Sequence, residues 1–527
     1  MRRGLLILFF YWLPIHIESS FPIPKFLTKK ACNVEDGCKC VYRHTGTECC
    51  CKGLGVEHFP TNLTASVKSL IIYNTSITRI EDNFFQSYLN IEEIDFYYNP
   101  KLEYFDGTAL RNLYNLKKFS ITFCKKLQEI PGVLIENNIK LLFLILRDNG
   151  LQRMPKLQMR KEHKIEMDVD LSNNQIEYIG DGTVSGVRAR IFRLNNNALR
   201  EIAGYAFRGS SFFRLYLNNN KELYSLSVDS FRDIQELHHL NLSDTSITEL
   251  PINGLKNLKS LSLSNVWSLK KLPSVLSFTH LQTAHFTYPH HCCLFKYVDD
   301  VVHDEKGMYK NNMKEIHNRM CTQREETQIR KVKRQVASSS TTTPKNIEWF
   351  DPAWFFSEDN EVFDEDEDLP EFSSDQIGVS KCLSVAIDTS VKKFFSNITC
   401  TPQPDTLNPC ENIVGYGLLR KAIWGIWILA IIGNICVWLT LALAYEKRLQ
   451  VHYLYMFNLS IADLITGVYL GVLAAEDVLT ADEYYRHAVA WQTGWGCQTA
   501  GFLAIFGSKL SIISMFLIAF EMAYNTK

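Results

Sequence analysis

The 527-residue sequence has almost no excess of charge of either sign, because 56 lysines and arginines oppose 57 aspartates and glutamates, for a formal net charge of −1. Bulk charge therefore gives no basis for binding nucleic acid or a membrane surface, and we expect no nucleic-acid partner. The sequence also lacks a nucleophile elbow, a phosphate-binding loop and a zinc motif. An enzyme is consequently the least favoured class, and we expect no cofactor, no catalytic residue and no bound metal.

The amino terminus lacks an apolar run long enough to cross a bilayer. A charged start is followed by a short apolar run at residues 5–13 and by Ser19 and Ser20. A transmembrane helix needs about 20 apolar residues, so this run is too short for one. The pattern predicts a secretory signal peptide over residues 1–20.

Cysteines, by contrast, are plentiful and clustered. Six of the fifteen lie between Cys32 and Cys51, and six more lie between Cys292 and Cys410. In a secreted chain such clusters indicate disulfide frameworks. Four Asn-x-Ser/Thr sequons fit the same compartment and are predicted to be glycosylated: Asn62, Asn74, Asn241 and Asn397.

An internal repeat lies between the two cysteine clusters. Its strand-like L-x-L cores recur every 21 to 25 residues, a spacing typical of leucine-rich repeats. The pairs are Leu70/Ile72, Ile94/Phe96, Phe119/Ile121, Leu144/Leu146, Val169/Leu171, Phe192/Leu194, Leu215/Leu217, Leu240/Leu242, Leu261/Leu263 and a degenerate copy at Ala284/Phe286. Three residues after the second apolar position stand Asn99, Asn149, Asn174, Asn197 and Asn220, where an Asn side chain can satisfy the backbone of the turn. We predict an α/β leucine-rich-repeat solenoid over residues 61–290.

The end repeats of a solenoid need caps, because each would otherwise expose an apolar face. We predict a cysteine-rich cap over residues 31–60, in which Cys32, Cys38 and Cys40 pair with some of the cysteines at 49–51, the exact pairing staying open. Cys292 and Cys293 open the second cap. The motif His-His-Cys-Cys at 290–293 also suggests a metal site, but adjacent cysteines in a secreted chain favour disulfides.

Residues that flank the apolar positions face outward, because side chains alternate along a strand. On the concave face of a solenoid they form a surface of mixed charge and tyrosine, which suits recognition of a folded protein. For any single residue, a solvated surface is the alternative. The candidate binding residues are Glu93, Asp95, Tyr97, Lys118, Arg147, Asp168, Asp170, Arg193, Arg214, Tyr216 and His239.

The repeat is lost after residue 297. A basic run, Arg-Lys-Val-Lys-Arg at 330–334, precedes a Ser/Thr-rich run ending in Pro344, and the composition predicts a flexible linker. The basic run resembles a proprotein-convertase site, although chance basic clusters are common. An acidic stretch at 358–371 is predicted to be disordered, or to dock a basic patch on the ligand.

Three segments are long and apolar enough to cross a bilayer: residues 422–444, 454–475 and 496–520. Lys447 and Arg448 lie in the first loop, whereas the second loop is acidic. This asymmetry places the first loop in the cytoplasm and the repeats outside the cell. Polar residues within spans suggest function. They are Asn434, Asp463, Ser508, Lys509, Ser511 and Glu521. Similar depth makes an ion pair between Asp463 and Lys509 a hypothesis.

Several motifs together resemble the glycoprotein hormone receptors, which are leucine-rich-repeat G-protein-coupled receptors. The most specific are Tyr-Pro-His-His-Cys-Cys at 288–293 and Leu-Asn-Pro-Cys-Glu-Asn-Ile-Val-Gly-Tyr at 407–416. Gly433-Asn434, Asn-Leu-Ser-Ile-Ala-Asp-Leu at 458–464 and Trp-Gln-Thr-Gly at 491–494 resemble the rhodopsin-like signature. The resemblance implies a hinge over residues 291–418 and the first three helices of a rhodopsin-like seven-helix domain over 421–527.

The resemblance also implies roles for particular residues. The concave face would bind a heterodimeric cystine-knot hormone, and bridges would join Cys292 to Cys400, Cys293 to Cys410 and Cys321 to Cys382. Asp463 and Ser511 match a sodium site, and Cys497 matches the cysteine that bridges to a second extracellular loop. A tethered internal agonist would comprise Asn408, Pro409, Cys410, Glu411, Asn412, Ile413, Val414, Gly415 and Tyr416.

The sequence departs from the family pattern at several points. No tyrosine occurs between Asn311 and Cys382, so docking of hormone through a sulfated hinge tyrosine is not expected. The family's Glu-Arg-Trp reads Glu521-Met522-Ala523, and Lys509 replaces a glutamate. The chain reaches Lys527 after three spans, which predicts truncation by splicing, gene-model error or fragmentation.

Three functions are compatible with the sequence. The first is a plasma-membrane receptor that binds hormone and couples to a heterotrimeric G protein only if a full-length form exists. The second is a truncated, non-signalling decoy or dominant-negative isoform. The third is a leucine-rich-repeat adhesion protein embedded in the lipid bilayer.

Overall fold

Strands form at the repeated L-x-L pairs, because apolar and polar residues alternate there with a period of two. In the computed structural model, the first apolar residue of each of the ten pairs lies on a strand. The structure describes residues 32, 36–44, 46–58, 66–82, 84–159, 166–298, 309–339, 387–406, 408–443 and 451–525. The predicted signal peptide, Asn62, the acidic stretch and Cys382 lie outside these residues. Contacts divide the chain into two units, Met1–Gln175 and Ile176–Lys527.

Unit 1 contains a main sheet in the order β1-β2-β3-β5-β7-β9-β11. Only β1 and β2 pair antiparallel, whereas each later neighbour is parallel. Its strands are β1 (Gly37–Arg43), β2 (Gly46–Lys52), β3 (Val67–Tyr73), β4 (Arg79–Ile80), β5 (Glu93–Tyr97), β6 (Tyr104–Phe105), β7 (Lys118–Thr122), β8 (Val133–Ile135), β9 (Phe143–Ile145), β10 (Lys156–Gln158) and β11 (Met167–Asp170). Parallel neighbours one repeat apart are the pattern of a leucine-rich-repeat solenoid.

Unit 2 continues the same repeat in a parallel sheet of order β14-β16-β18-β19-β20-β21, with a small second sheet β12-β15-β17. Its strands are β12 (Tyr178–Ile179), β13 (Val184–Ser185), β14 (Arg188–Arg193), β15 (Glu201–Ile202), β16 (Ser211–Tyr216), β17 (Ser225–Leu226), β18 (Leu237–Asn241), β19 (Ser260–Ser262), β20 (Thr283–His285) and β21 (Thr399–Thr401). Strand β21 was not predicted, because it carries no repeat motif and lies more than a hundred residues beyond β20 in the sequence.

The cap predicted at the amino end of the repeats is a β-hairpin stapled by disulfides. Strands β1 and β2 pair along their whole length, and bonds join Cys32 to Cys50, Cys38 to Cys51 and Cys40 to Cys49. Strand β2 then pairs in parallel with β3 and covers the first repeat. The sequence left this pairing open, and the structure assigns it.

Buried asparagines link successive repeats by hydrogen bonds, as the sequence predicts. The Asn149 amide donates to the carbonyls of Ile121 (2.8 Å) and Leu146 (2.9 Å), and its oxygen accepts from the Cys124 amide (2.8 Å). Asn174 repeats the pattern with Leu146 and Leu171. Buried backbone groups at the turns are thereby paired, which removes a cost of about 1 to 3 kcal/mol for each group.

Aromatic side chains fill the interior of the solenoid in both units. In unit 1 the ring of Phe105 lies 5.7 Å from that of Phe96 and 5.3 Å from that of Phe119. In unit 2 Phe212 lies 4.9 Å from Phe192 and 5.6 Å from Phe207. All six rings are buried, so each repeat contributes apolar surface to its neighbours and is stable only in the stack.

Seven α-helices lie beyond strand β20 in the described part of unit 2, three before β21 and four after it. They are α1 (Pro289–Lys296), α2 (Lys310–Ser339), α3 (Ile387–Ser396), α4 (Gly417–Leu443), α5 (Val451–Leu479), α6 (Tyr484–Gln492) and α7 (Trp495–Asn525). The helices α4, α5 and α7 are apolar and long enough to cross a membrane and match the three predicted spans. They extend beyond the predicted limits by up to five residues, except at the end of α4, which lies one residue short of its predicted limit.

Helix α2 corrects the prediction of a flexible linker. The basic run at 330–334 and the first two serines after Ala337 are helical. The segment contains neither proline nor glycine and is rich in Lys, Arg, Gln and Glu, which favour helix. Cleavage after Arg334 would therefore require this helix to open locally.

Candidate functional site

The sheet face, defined as the side of the main sheet opposite the core, carries the predicted binding residues of unit 1. Strands β5 and β7 place Glu93 against Lys118, and Asp95 against Ser120, in register. Asp95 is only 1% exposed, and the Lys118 ammonium lies 2.6 Å from its carboxylate. Asp95 is therefore an internal ion-pair partner rather than a contact residue, which the spacing did not reveal. Its role is to hold Lys118 in place.

Tyr97 lies on the same face within an aromatic cluster. Its ring stacks on Tyr73 at 5.7 Å and meets Phe123 edge-on at 5.4 Å. Burial, followed by the neighbouring Tyr73, raises the pKa of the Tyr97 hydroxyl, so the group stays protonated at physiological pH. Further along, Arg147 pairs with Asp148 at 3.6 Å, and Asp170 accepts hydrogen bonds from Ser172. Asp168 lies on β11, opposite Phe143 of β9.

The sheet face of unit 2 is cationic and aromatic. Arg214 lies opposite His239, and Arg193 lies opposite Tyr216, on adjacent strands. The Arg193 guanidinium lies 6.0 Å from the centre of the Tyr216 ring. Sequence reasoning missed two members of this surface. They are Phe213, which is 36% exposed, and His238, whose ring lies 5.1 Å from that of Phe213. Strict alternation assigns both to the side opposite Arg214 and His239, so the period-two pattern could not find them.

The predicted hinge is tied to the repeats by two disulfides. Cys292 bonds to Cys400 and Cys293 bonds to Cys410, which are the pairings implied by the family resemblance. The first links helix α1 to strand β21, and the second links α1 to the segment at 408–416. Cys321 is also disulfide-bonded, whereas Cys382 lies outside the described residues.

Helix α1 packs against the loop between the second and third spans. His290 is 1% exposed, and its ring meets that of Tyr484 edge-on at 5.5 Å. Burial lowers the pKa of His290 to about 4, and the neighbouring His291 adds to this shift. Burial also raises the pKa of the Tyr484 hydroxyl to about 12. Both groups are therefore neutral at physiological pH, as their buried contact requires.

We expect acid to weaken this packing. His290 titrates near 6.5 when unfolded and near 4 when folded, so its stability contribution is complete above pH 6.5 and is lost as pH falls towards 4. The loss is about 3 kcal/mol at most. The melting temperature of the full chain in detergent, measured from pH 7.5 to 4, should fall more steeply for the wild type than for His290→Gln. Identical profiles would contradict this assignment.

The segment at 408–416, predicted to be an internal agonist, is held by the same loop. The Tyr485 amide donates to the Cys410 carbonyl (2.8 Å), and the Tyr484 amide donates to the Glu411 carbonyl (3.2 Å). Asn412 and Asp482 exchange two hydrogen bonds, of 3.2 and 2.9 Å. Backbone and side-chain hydrogen bonds therefore hold the segment along the loop.

A buried carboxylate anchors the end of this segment. Asp477, near the end of α5, is 3% exposed. One of its oxygens accepts from the Val414 amide (3.1 Å), and the other accepts from Nε of Arg420 (2.6 Å), on helix α4. Val414 packs with Ile423 and Ala474. Asp477 thus joins two helices to the segment, a role that its place in an acidic loop did not suggest.

Two further predictions concern the spans. Ser511 hydrogen-bonds Asp463, so the sodium-site-like residues meet. Lys509 is exposed on the array of described helices and forms no ion pair with Asp463, so that pairing hypothesis is wrong. Axial depth alone did not fix the direction in which each side chain points.

Other predicted residues are placed as follows. Among the described sequons, Asn397 is exposed, and Asn74 and Asn241 are half-buried. Cys497 is a free, half-buried cysteine. In the part of the chain that the structure describes, no group of three or more His, Cys, Asp or Glu residues is placed to hold a metal ion.

A comparison with protein families agrees with the repeat architecture. The family model described as the BspA type leucine-rich repeat region matches in six copies over residues 61–149 and 164–290. A solved structure of a TLR13–ssRNA13 complex is similar at 14% identity and a TM-score of 0.31, covering 42% of this chain and 43% of that one.

Relatives extend beyond the repeats. The thyrotropin receptor of Canis lupus familiaris is 30% identical over 97% of this chain and 67% of its own length. The thyrotropin receptor of Mus musculus is 31% identical over 90% and 63%. The follicle-stimulating hormone receptor of Felis catus is 30% identical over 89% and 63%. The chain thus spans about two thirds of the length of these relatives. A relationship that includes repeats, paired cysteines and apolar helices shows that this protein belongs to the glycoprotein hormone receptor family.

Proposed function

We propose that this protein is a cell-surface receptor whose repeats bind a heterodimeric cystine-knot glycoprotein hormone on the sheet face. One observation carries the proposal: half-exposed tyrosine, arginine and histidine side chains stand in register on adjacent strands. Tyrosine and arginine dominate the energetic centres of protein interfaces. The relatives named above are receptors for hormones, and the residues of this face supply the means for the same activity here.

The proposal also specifies the membrane orientation and the order of the domains. The signal peptide over residues 1–20 would direct the repeats outside the cell, and the domains would comprise a cap at 31–60, repeats at 61–290, a hinge at 291–418 and spans from 421. The segment at 408–416 would act as the internal agonist. It lies against the span loop and is bonded to helix α1, so movement of the hinge would reach the helices directly. Coupling to a heterotrimeric G protein would require more helices than the three described here.

A second candidate is a hormone-binding chain that does not signal. At the end of α7 the sequence reads Glu521-Met522-Ala523, without the arginine that the family pattern places there. Glu521 instead lies 3.5 Å from His452 at the start of α5. This arrangement favours binding without G-protein activation.

Binding to the full chain displayed on cells tests the proposal. Labelled thyrotropin-, follitropin- and lutropin-type heterodimers should include at least one that binds saturably. Tyr216→Ala should weaken that binding about tenfold or more, because a tyrosine at the centre of an interface contributes about 2 kcal/mol. Tyr178→Ala is the matched control, since Tyr178 is 50% exposed on the small sheet. Absence of saturable binding by every heterodimer would contradict the proposal and favour an adhesion role.

A further inference from the structure

The sheet face of unit 2 contains two arginines, Arg193 and Arg214, that differ in their contacts from three arginines elsewhere in that unit. Off this face, Arg200 and Arg208 pair with carboxylates of neighbouring repeats, and Arg232 pairs with a carboxylate of its own repeat. Arg200 lies 2.9 Å from Glu222, Arg208 lies 3.2 Å from Asp181, and Arg232 lies 3.4 Å from Asp229. Among the described residues, no carboxylate lies within 4.0 Å of Arg193 or Arg214. Arg193 and Arg214 therefore lack the ion pairs that these three arginines make.

Aromatic rings, rather than carboxylates, lie beside the guanidinium groups of Arg193 and Arg214. The Arg214 guanidinium lies 5.2 Å from the ring centre of Phe213, and Arg193 lies 6.0 Å from that of Tyr216. We call this surface the cationic–aromatic patch, and it comprises Arg193, Phe213, Arg214, Tyr216, His238 and His239. An aromatic ring covers the flat face of a guanidinium but leaves its N–H edge available. That edge binds a carboxylate through two parallel hydrogen bonds.

The local potential of the patch is positive. The pKa of His239 is lowered by burial and then by the charges of Arg214, His238 and Lys259. The pKa of His238 is lowered by burial and by Lys259, against a weaker opposing effect of Glu236. Arg193 and Arg214 lie on adjacent strands, where Arg193 stands opposite Tyr216 and Arg214 opposite Ile191, so the two like charges are diagonal neighbours. An anion placed between them would relieve their repulsion.

We propose that the cationic–aromatic patch binds an acidic loop of the protein hormone, by bidentate contacts from Arg193 and Arg214 to its carboxylates. This inference rests on the proposed function and names the chemistry of the ligand. The exposed Phe213 and the half-exposed Tyr216 favour a protein loop over a sulfated polysaccharide, since their rings offer apolar contact beside the charges. The patch also lies in the face already proposed to hold hormone.

Two variants of the full chain in detergent separate charge from geometry. Arg193→Gln with Arg214→Gln removes both charges, and Arg193→Lys with Arg214→Lys keeps them without the planar fork. Arg208→Gln is the matched control, because Arg208 is exposed and lies off the sheet face. Three probes are used: a purified heterodimeric hormone that binds the wild type, a glutamate-rich decapeptide, and heparin.

The double glutamine variant should bind hormone about thirtyfold more weakly at low salt, mainly through slower association, and should lose about half of the salt dependence. The double lysine variant should keep the salt dependence and lose about threefold to tenfold in affinity. Arg208→Gln should stay within about twofold of wild type. The decapeptide should bind the wild type at low salt and should not bind the double glutamine variant.

The outcomes are distinguishable from failure of the proposed function. If no heterodimer binds the wild type, the proposed function fails and the decapeptide alone decides on the patch. If hormone binds both wild type and the double glutamine variant equally, the proposed function stands and the inference is overturned. Binding of heparin without binding of the decapeptide would also overturn it, in favour of a sulfated polysaccharide.

Discussion

Replacing Asn220 with alanine should lower the stability of the repeats by about 3 to 5 kcal/mol. Asn220 is fully buried, and its amide donates to the carbonyls of Leu194 (3.1 Å) and Leu217 (2.7 Å). Its oxygen accepts from the amides of Asn197 (3.2 Å) and Leu199 (3.3 Å). Alanine would leave these four backbone groups buried with no partner from this side chain. Thermal unfolding of the full chain in detergent measures the loss.

Two further substitutions serve as comparisons for the stability lost by Asn220→Ala. Asn220→Thr should recover part of the stability, because Thr245 fills the corresponding position in the next repeat and donates to the Leu242 carbonyl at 2.7 Å. Asn195→Ala, in the same kind of turn but half-buried, should change stability by less than about 0.5 kcal/mol. Equal melting temperatures for the Asn220 and Asn195 alanine variants would rule out the proposed role of Asn220 in linking repeats by hydrogen bonds.

Replacing Asp477 with alanine should release the segment at 408–416 from the helices. The change removes a buried carboxylate that pairs with Arg420 and accepts from the Val414 amide. Breaking such a pair leaves an uncompensated cation, at a cost of about 3 kcal/mol. Hydrogen–deuterium exchange should show faster exchange of the Val414 amide, and the melting temperature should fall.

Asp482→Asn is the matched control for this change. Asp482 is exposed, contacts the same segment through Asn412 and has a φ of 65°, which asparagine tolerates. Its substitution should leave exchange at Val414 nearly unchanged. Asp477→Asn should fall between the two, because it keeps an oxygen acceptor but loses the charge. If Asp477→Ala leaves the Val414 amide protected, the anchor is assigned to the wrong residue.

The sequence was sufficient for the repeats and the spans because both depend on local patterns. A period of 21 to 25 residues places a strand in each repeat and an Asn at the turn of five repeats, and an apolar run of sufficient length identifies a membrane helix. The same reasoning failed where contacts join distant residues. Asp477 meets Val414 and Arg420 across about sixty residues, and strand β21 joins β20 across more than a hundred.

The errors have specific physical causes. Asp95 alternates outward along its strand, but the long Lys118 side chain from the next strand reaches its carboxylate and covers it. Asp463 and Lys509 lie at similar depth, but depth does not determine rotation about the helix axis, and Ser511 contacts Asp463 instead. In helix α2 the absence of proline and glycine outweighed the basic composition.

Hydroxyl-radical footprinting of the full chain with and without bound hormone tests the central claim, that the sheet face of the repeats holds the ligand. Hormone should protect Phe213, Tyr216 and His239 from oxidation, because all three side chains are at least partly accessible on that face. Tyr178, on the small sheet of the same unit, should be oxidised equally in both states. Protection of Tyr178 with continued oxidation of Phe213 and Tyr216 would place the hormone elsewhere and contradict the account.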